Sequence, residues 1–191
     1  MIKNLEKRTK FWDTNYFTEN MTTSLVCPFE EYLDDFKDRS VLEIGPGDGR
    51  QFNIVYPLSS FYVVADISNC VLSNDLYQYI PRFNIVDYKF SFPYAFDVVH
   101  FWYVLHHVLK EELYDFFNFV FRHMENDGIA LFNTAPLDYP RGGYKSNGIS
   151  TTKFKPSVIR SALTNNNLTI VSEKEINRDS TGIVLKVKKG C

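Results

Sequence analysis

Six residues in the first half of the chain have the types and spacing to hold a charged nucleoside. The stretch "VLEIGPGDGR" (41–50) sets Gly45, Gly47 and Gly49 at alternate positions after a short apolar run, in a chain with only 9 glycines. Glycines so placed bring main chain up to a ligand, because they lack Cβ and tolerate positive φ. Glu43 stands two residues ahead of that turn, Asp66 ends the next apolar run and Asp87 ends the third. A carboxylate at a strand end can accept hydrogen bonds from both hydroxyls of a ribose, and a second can accept one from the exocyclic amine of a base. A dinucleotide fingerprint would put its third glycine at position 50, where this chain has Arg50, and there is no Walker lysine. Phosphate is a poor guest among three carboxylates; a cationic nucleoside fits better. Singly, the glycines read equally well as a tight turn, and either aspartate as a helix cap or surface acid. Their joint placement decides for a site.

A second group follows. In "FDVVHFWYVLHHV" (96–108), His106 and His107 come just after a strand. An imidazole on the rim of a pocket can take a proton from a hydroxyl or amine, worth about 10²–10⁴ in rate. The competing reading is a pair of histidines that cap a helix and bond its backbone. The stretch "PLDYPRGGYKSNG" (136–148) is too long for a simple turn, so 135–152 is a candidate lid hinged at Gly142 and Gly143. There Tyr139, Arg141, Tyr144 and Lys145 are candidate acceptor contacts, against the equal alternative of a surface loop with no role. Arg141 or Lys145 facing inward would favour an acidic or phosphorylated acceptor. His123, at a helix end, is expected to complement the helix dipole.

The elements that must position these groups alternate. Pro28 opens a helix with Phe29, Leu33 and Phe36 on one face. "VLEI", "FYVVADIS", "FNIVDY", "FDVVHF" and "DGIALFN" read as successive strands, the last entered through Gly128. Between the second and third, "SNCVLSNDLYQYI" reads as one helix with Val71, Leu72, Leu76 and Ile80 inward. Before the fifth, Leu109, Leu113, Phe116, Phe117, Val120 and Met124 recur at helical steps. Pro156 opens a further helix to about Leu163, and "LTIVSEKEI" and "TGIVLKVKK" form a closing antiparallel hairpin. Strands alternating with helices argue for an α/β fold with a mostly parallel sheet covered on both faces.

The bulk numbers set bounds. A chain of 191 residues, 45% hydrophobic and 23% charged, suits one soluble domain spanning 1–191. A formal charge of -2 gives no global pull toward nucleic acid or anionic lipid, so neither is expected as a partner. No apolar run approaches the roughly 20 residues that cross a bilayer, and the basic start lacks the apolar core of a signal peptide. Cys27, Cys70 and Cys191 form no close pair and no metal-ligand spacing, which suits a reducing cytoplasm. No metal site is expected.

Taken in order, these motifs resemble a class I S-adenosylmethionine-dependent methyltransferase of the small-molecule branch, over roughly residues 25–190. "VLEIGPGDGR" resembles the family's first motif, "VVADIS" its ribose-binding segment, "NIVDY" its adenine-binding segment and "FDVVHFWYVLHHV" its fourth motif. The resemblance implies a Rossmann-like, doubly wound, seven-stranded and mostly parallel sheet with a C-terminal antiparallel hairpin. It implies S-adenosylmethionine as cofactor and S-adenosylhomocysteine as product. Glu43, Gly45, Gly47 and Gly49 would hold the methionine portion. Asp66 would bind the ribose, with Ile67 packing on the adenine. Asp87 would meet the adenine amine beside Tyr88. His100, Phe101 and Trp102 would lie along the sulfonium arm. Residues 1–23 would form a cover segment, with Trp12 and Tyr16 over the cofactor.

His106 ranks ahead of His107 as catalytic candidate because relatives often carry an acid at its position. The fourth motif lacks the Asn/Asp-Pro-Pro-aromatic run of amino-methylating nucleic-acid enzymes; "WYVL" stands there instead, and its Tyr103 is a candidate substrate contact. The implied reaction is in-line methyl transfer to a small metabolite or a glycan sugar, oxygen a little ahead of nitrogen. No metal is required. The rival readings are a partner-guided methyltransferase of protein or nucleic acid, and a non-catalytic S-adenosylmethionine-binding module.

Overall fold

The computed structural model describes residues 2–15, 30–85, 88–134, 152, 154–175 and 183–190. It divides into two compact units, Met1–Asp87 and Tyr88–Cys191.

The first unit opens with helix α1 (Ile2–Asn15) and, after a 3-10 helix at Glu30–Phe36, enters strand β1 (Ser40–Ile44). Pro28 and Phe29 lie outside the described residues; Phe36 is buried as its spacing predicts. β1 is followed by α2 (Phe52–Val55), β2 (Phe61–Asp66), α3 (Asn69–Leu72) and β3 (Arg82–Asn84). β1 pairs parallel with β2 from Ser40↔Phe61 to Ile44↔Ala65, and β2 pairs parallel with β3. Val41 to Ile44 and Tyr62 to Ala65 are all buried, the continuous run that a strand covered on both faces requires. Beyond β3, the Ile85 N–H donates to Asp66 O at 2.9 Å.

The expected single helix over 68–80 is broken. Ser68 caps α3, its Oγ accepting from Val71 N at 3.2 Å, and Asn74 Oδ1 accepts from Leu76 N at 3.0 Å to start a 3-10 turn at Asp75–Tyr77. Ser73, Asn74 and Asp75 are residues whose side chains compete for backbone donors, so the helix stops among them. The new phase turns Leu76 outward, 39% exposed, and buries Tyr77 completely.

The second unit contains β4 (Phe96–Phe101), 3-10 turns at Leu105–His107 and Lys110–Glu112, α4 (Leu113–Arg122), β5 (Met124–Thr134), α5 (Pro156–Asn165), β6 (Leu168–Glu175) and β7 (Ile183–Lys189). The helix before β5 is shorter than its periodicity suggests: Leu109 precedes the second 3-10 turn, and Met124 already belongs to β5. β5 starts early because Phe96 pairs with Met124 while Val98 pairs with Ile129, an irregularity that contains Gly128. A Cβ at Gly128 would come within 3.0 Å of Phe96 O and of Glu125 main chain. β5 pairs antiparallel with β7 and β7 with β6, the closing hairpin read in the sequence. The seven strands run in the order β3-β2-β1-β4-β5-β7-β6, a doubly wound, Rossmann-like sheet whose ligands collect at the carboxyl ends of its strands.

Aromatic rings fill the second unit's core. Phe101 stacks on Phe132 at 4.6 Å and meets Phe116 edge-on at 5.0 Å. Its ring is therefore committed to packing, against the expectation that it lines the cofactor's arm.

His123 corrects a further expectation. It is 2% exposed and buried between Phe92 and Phe119. The Phe92 N–H donates to Nε2 at 3.0 Å, and Nδ1 lies 2.8 Å from Phe119 O. A ring that accepts at Nε2 and donates at Nδ1 is the neutral tautomer. Burial pushes its pKa down, so it supplies no cation to the helix dipole. Its contribution to stability is present above the ordinary imidazole value of 6.5 and lost as pH falls below it. His123→Ala is expected to lose about 2 kcal/mol in urea unfolding at pH 8. The further loss between pH 8 and pH 5 should be smaller in the variant than in the parent; an equal loss would show that the ring is not held neutral.

Candidate active site

The glycine turn is built from below. Gly45 N donates to Ala65 O at 2.8 Å, extending the β1–β2 ladder into the turn. Gly45, Gly47 and Gly49 have φ of 70°, 55° and 83°, the left-handed region that favours glycine. Gly49 and Gly47 have different tasks. A Cβ at Gly49 would stand 2.6 Å from Leu76 Cδ1 and 3.2 Å from the Tyr77 hydroxyl, whereas a Cβ at Gly47 would meet nothing within 4 Å. Gly49 lets the turn close onto its support; Gly47 leaves open the space where a Cβ would stand. The Tyr77 hydroxyl donates to Gly47 O at 3.1 Å, and Phe52 meets Tyr77 and Tyr62 edge-on. Arg50 Nε donates to Asp48 Oδ2 at 2.6 Å, which pins the residue at the third-glycine position to the turn's own acid.

Both acids expected in this unit and described here are perturbed. Glu43 is 1% exposed, and the Tyr62 hydroxyl donates to its Oε2 at 2.7 Å. Burial pushes its carboxyl up to about 8; the Tyr62 hydrogen bond opposes this, and the negative charges of Asp48 and Asp66 add to it. Burial also pushes Asp66 up to about 7, opposed by the main-chain N–H groups of Ser68 and Ile67. The Ser68 N–H donates to Asp66 Oδ1 at 2.8 Å. Ile67 is partly buried, its carbonyl accepting from Asn84 Nδ2 at 2.9 Å. Trp12 is partly exposed on α1, edge-on to Phe11 at 5.3 Å. Asp87 and Tyr16 lie outside the described residues.

In the second unit the structure joins some expected residues and diverts another. His100 is fully buried; the Trp102 indole N–H donates to its Nδ1 at 3.0 Å, and burial pushes the ring down to about 3. The acceptor Nδ1 places the proton of this neutral imidazole on Nε2. Tyr103 has φ 57°, and its N–H donates to the Oδ1 of buried Asn133 at 2.7 Å. An aromatic residue in the left-handed region costs about 1–3 kcal/mol and marks a place where neighbours hold a shape. His106 and His107 lie on the 3-10 turn after β4, ring centroids 3.9 Å apart, and burial pushes His106 down to about 4. Thr152 N donates to His106 O at 2.7 Å. Tyr88, expected beside the adenine, packs its ring on α4, edge-on to Phe116 at 5.4 Å. Tyr139, Arg141, Tyr144 and the rest of 135–151 lie outside the described residues. Sequence reading missed Tyr62, Tyr77 and Asn133. Nothing local marked any of the three, since each acts on a residue distant in the chain.

A family model described as a methyltransferase domain matches residues 17–173. The chain belongs to that family. No curated protein matches its sequence. Among solved structures, a 1,6-didemethyltoxoflavin-N1-methyltransferase from Burkholderia thailandensis, with 1,6-didemethyltoxoflavin and S-adenosylhomocysteine bound, superposes with a TM-score of 0.78. It is 12% identical over 99% of this chain and 90% of its own. The DhpI–SAH complex has a TM-score of 0.73 at 16% identity, over 97% of both chains. The magnesium protoporphyrin IX methyltransferase ChlM from Synechocystis PCC 6803, with bound SAM, has 0.69 at 14% identity, over 97% of both chains. The chain is a class I S-adenosylmethionine-dependent methyltransferase, and S-adenosylmethionine is its cofactor.

The first unit of this methyltransferase fits that cofactor. The space beside Gly47 where a Cβ would stand is open, Asp66 is a partly buried carboxyl at the end of β2, and Glu43 is a buried acid that a nearby cation would ionise. Gly47→Ala should fold with a loss of about 1 kcal/mol and weaken S-adenosylhomocysteine binding in calorimetry, while Gly49→Ala should lose stability well beyond that. Equal stability in the two would remove the division of tasks.

Glu43 gives a pH test. Its folded value of about 8 exceeds its ordinary 4.5, so the folded chain keeps a proton the unfolded chain has lost, and stability falls as pH rises across that window. Ligand-free Glu43→Gln should therefore be more stable than the parent at pH 8.5 by about 1–3 kcal/mol. It should also bind S-adenosylhomocysteine more weakly. A variant less stable than the parent at pH 8.5 would contradict a buried charge at this position.

Proposed function

We propose that this methyltransferase transfers the methyl group to a small molecule, at a hydroxyl or amine of a metabolite or glycan sugar, oxygen ahead of nitrogen. Both units would act as one domain over 1–191, with 135–152 as substrate lid, in the cytoplasm. The observation that carries the reading is the strained Tyr103, clamped by Asn133 in the left-handed region one short turn before two histidines. Cofactor binding alone gives no reason to retain that strain; an acceptor-binding surface does. The reading is also supported by structural neighbours whose own acceptors are small molecules, 1,6-didemethyltoxoflavin and magnesium protoporphyrin IX. A formal charge of -2 argues against nucleic acid.

When bound, the cofactor supplies a methyl group already activated by its positive sulfur, so the protein's task is placement. Glu43 and the glycine turn would hold the methionine portion, Asp66 the ribose and Asp87 the adenine. His100, fixed by Trp102, would shape the wall at the end of β4. His106 is neutral at physiological pH, its pKa near 4 leaving it a weak base but a ready acceptor. It would orient the acceptor's O–H or N–H, with His107 beside it and Tyr103 against the acceptor's body. Tyr139, Arg141 and Tyr144 would close over the acceptor from the lid.

The test is a screen with radiolabelled S-adenosylmethionine over pooled metabolites and nucleotide sugars. Label is expected in a small product. His106→Ala should lower that turnover by about 10²-fold while leaving S-adenosylhomocysteine affinity unchanged. Label found only in protein or nucleic acid, or cofactor binding with no transfer to any acceptor, would overturn the small-molecule assignment.

A further inference from the structure

The contacts of α1 show how the ribose-binding carboxyl is held. Asp13, near the end of α1, accepts at Oδ1 from the Ser68 hydroxyl at 2.6 Å and from the Cys70 N–H at 3.2 Å. Ser68 is fully buried and has three further tasks. Its hydroxyl accepts from Val71 N at 3.2 Å, its carbonyl accepts from Leu72 N at 3.3 Å, and its own N–H donates to Asp66 Oδ1 at 2.8 Å. One buried serine thus joins an aspartate of α1 to the aspartate that ends β2, 55 residues apart along the chain from Asp13 to Ser68.

We propose that Asp13 is a positioning residue for the cofactor's ribose: through Ser68 it fixes the loop from Asp66 to Cys70 and so aims the Asp66 carboxyl. The inference rests on the cofactor assignment above and extends it to a residue outside the family's motifs. Capping explains part of Asp13: Ser68 caps α3 through Val71 N, and Asp13 takes the Cys70 N–H of the same first turn, but its shorter bond is to the Ser68 hydroxyl. What Asp13 adds is direction. By taking the proton of the Ser68 hydroxyl it sets that rotor, leaves the lone pair for Val71, and anchors Cys70 two residues beyond Ser68. A second carboxyl near Asp66 also carries an electrostatic cost: after burial, Asp13's negative charge is among the influences that raise Asp66. A contact kept against like-charge repulsion argues for a gain elsewhere, and the geometry puts that gain on Asp66. Because coupling is reciprocal, ribose binding would in turn hold α1.

The experiment measures a ratio by calorimetry: the affinity for S-adenosylhomocysteine over that for its 2′-deoxyribose analogue. The parent should prefer the full ribose by about tenfold or more, since hydrogen bonds to a charged acceptor are the strong ones. Asp13→Ala should bind S-adenosylhomocysteine about tenfold more weakly while its preference falls below about threefold, the signature of two groups that act as a unit. Asp13→Asn, which keeps an acceptor for Ser68 and Cys70, should restore the preference. Should Asp13→Ala fail to fold, Asp13→Glu, which shifts the acceptor by one methylene, should show the same narrowing. A merely structural role would weaken both ligands alike, so an unchanged ratio in the folded variant overturns the proposal. A parent that binds neither ligand overturns the cofactor assignment itself.

Discussion

Two carboxyl groups stand at the ends of neighbouring strands, Glu43 buried and Asp66 partly buried, and no ion pair among the described residues reaches them. Burying a charge without a counterion costs several kcal/mol, and a carboxyl in that position tends to keep its proton. Their raised values, about 8 and about 7, express that cost. Stability alone would favour an amide at Glu43. A cationic ligand with hydroxyl donors would change the balance, because it would supply a countercharge and further hydrogen bonds.

The rest of the first unit makes that arrangement tenable. Glu43 is held by one neutral donor, the Tyr62 hydroxyl, which satisfies an oxygen without neutralising it. Tyr62 is braced by Phe52, which also braces Tyr77, and Tyr77 carries the glycine turn on its hydroxyl. The acid and the turn therefore share one aromatic support. Moving Phe52 would disturb both, so the position of the acid and the turn depends on apolar packing beneath them.

The legibility of this site in the sequence follows from the range of each interaction. The glycine turn and the acids at strand ends were readable because alternation and strand termini are local patterns. The parallel strands and the closing hairpin were readable for the same reason. Helix extents were not: the break at Ser73–Asp75 is a contest between side-chain and main-chain acceptors, and the early start of β5 depends on Gly128 lying against Phe96, a contact 32 positions away. Asn133 and Asp13 were invisible because each acts on a distant segment, Tyr103 and Ser68 respectively. His123 misled because its position in sequence suits a dipole, while its actual neighbours, Phe92 and Phe119, make it a neutral link.

The histidines complete the electrostatic logic. His100, His106 and His123 are all pushed down by burial, so none carries a positive charge at neutral pH. A sulfonium beside Glu43 and Asp66 would favour their charged forms, so cofactor binding there would release protons from those carboxyls. Cofactor affinity in such a protein falls as pH drops through the carboxyls' raised values, since each proton regained must be displaced again. The burial that lowers His106 leaves it a weak base, a neutral imidazole able to accept a hydrogen bond.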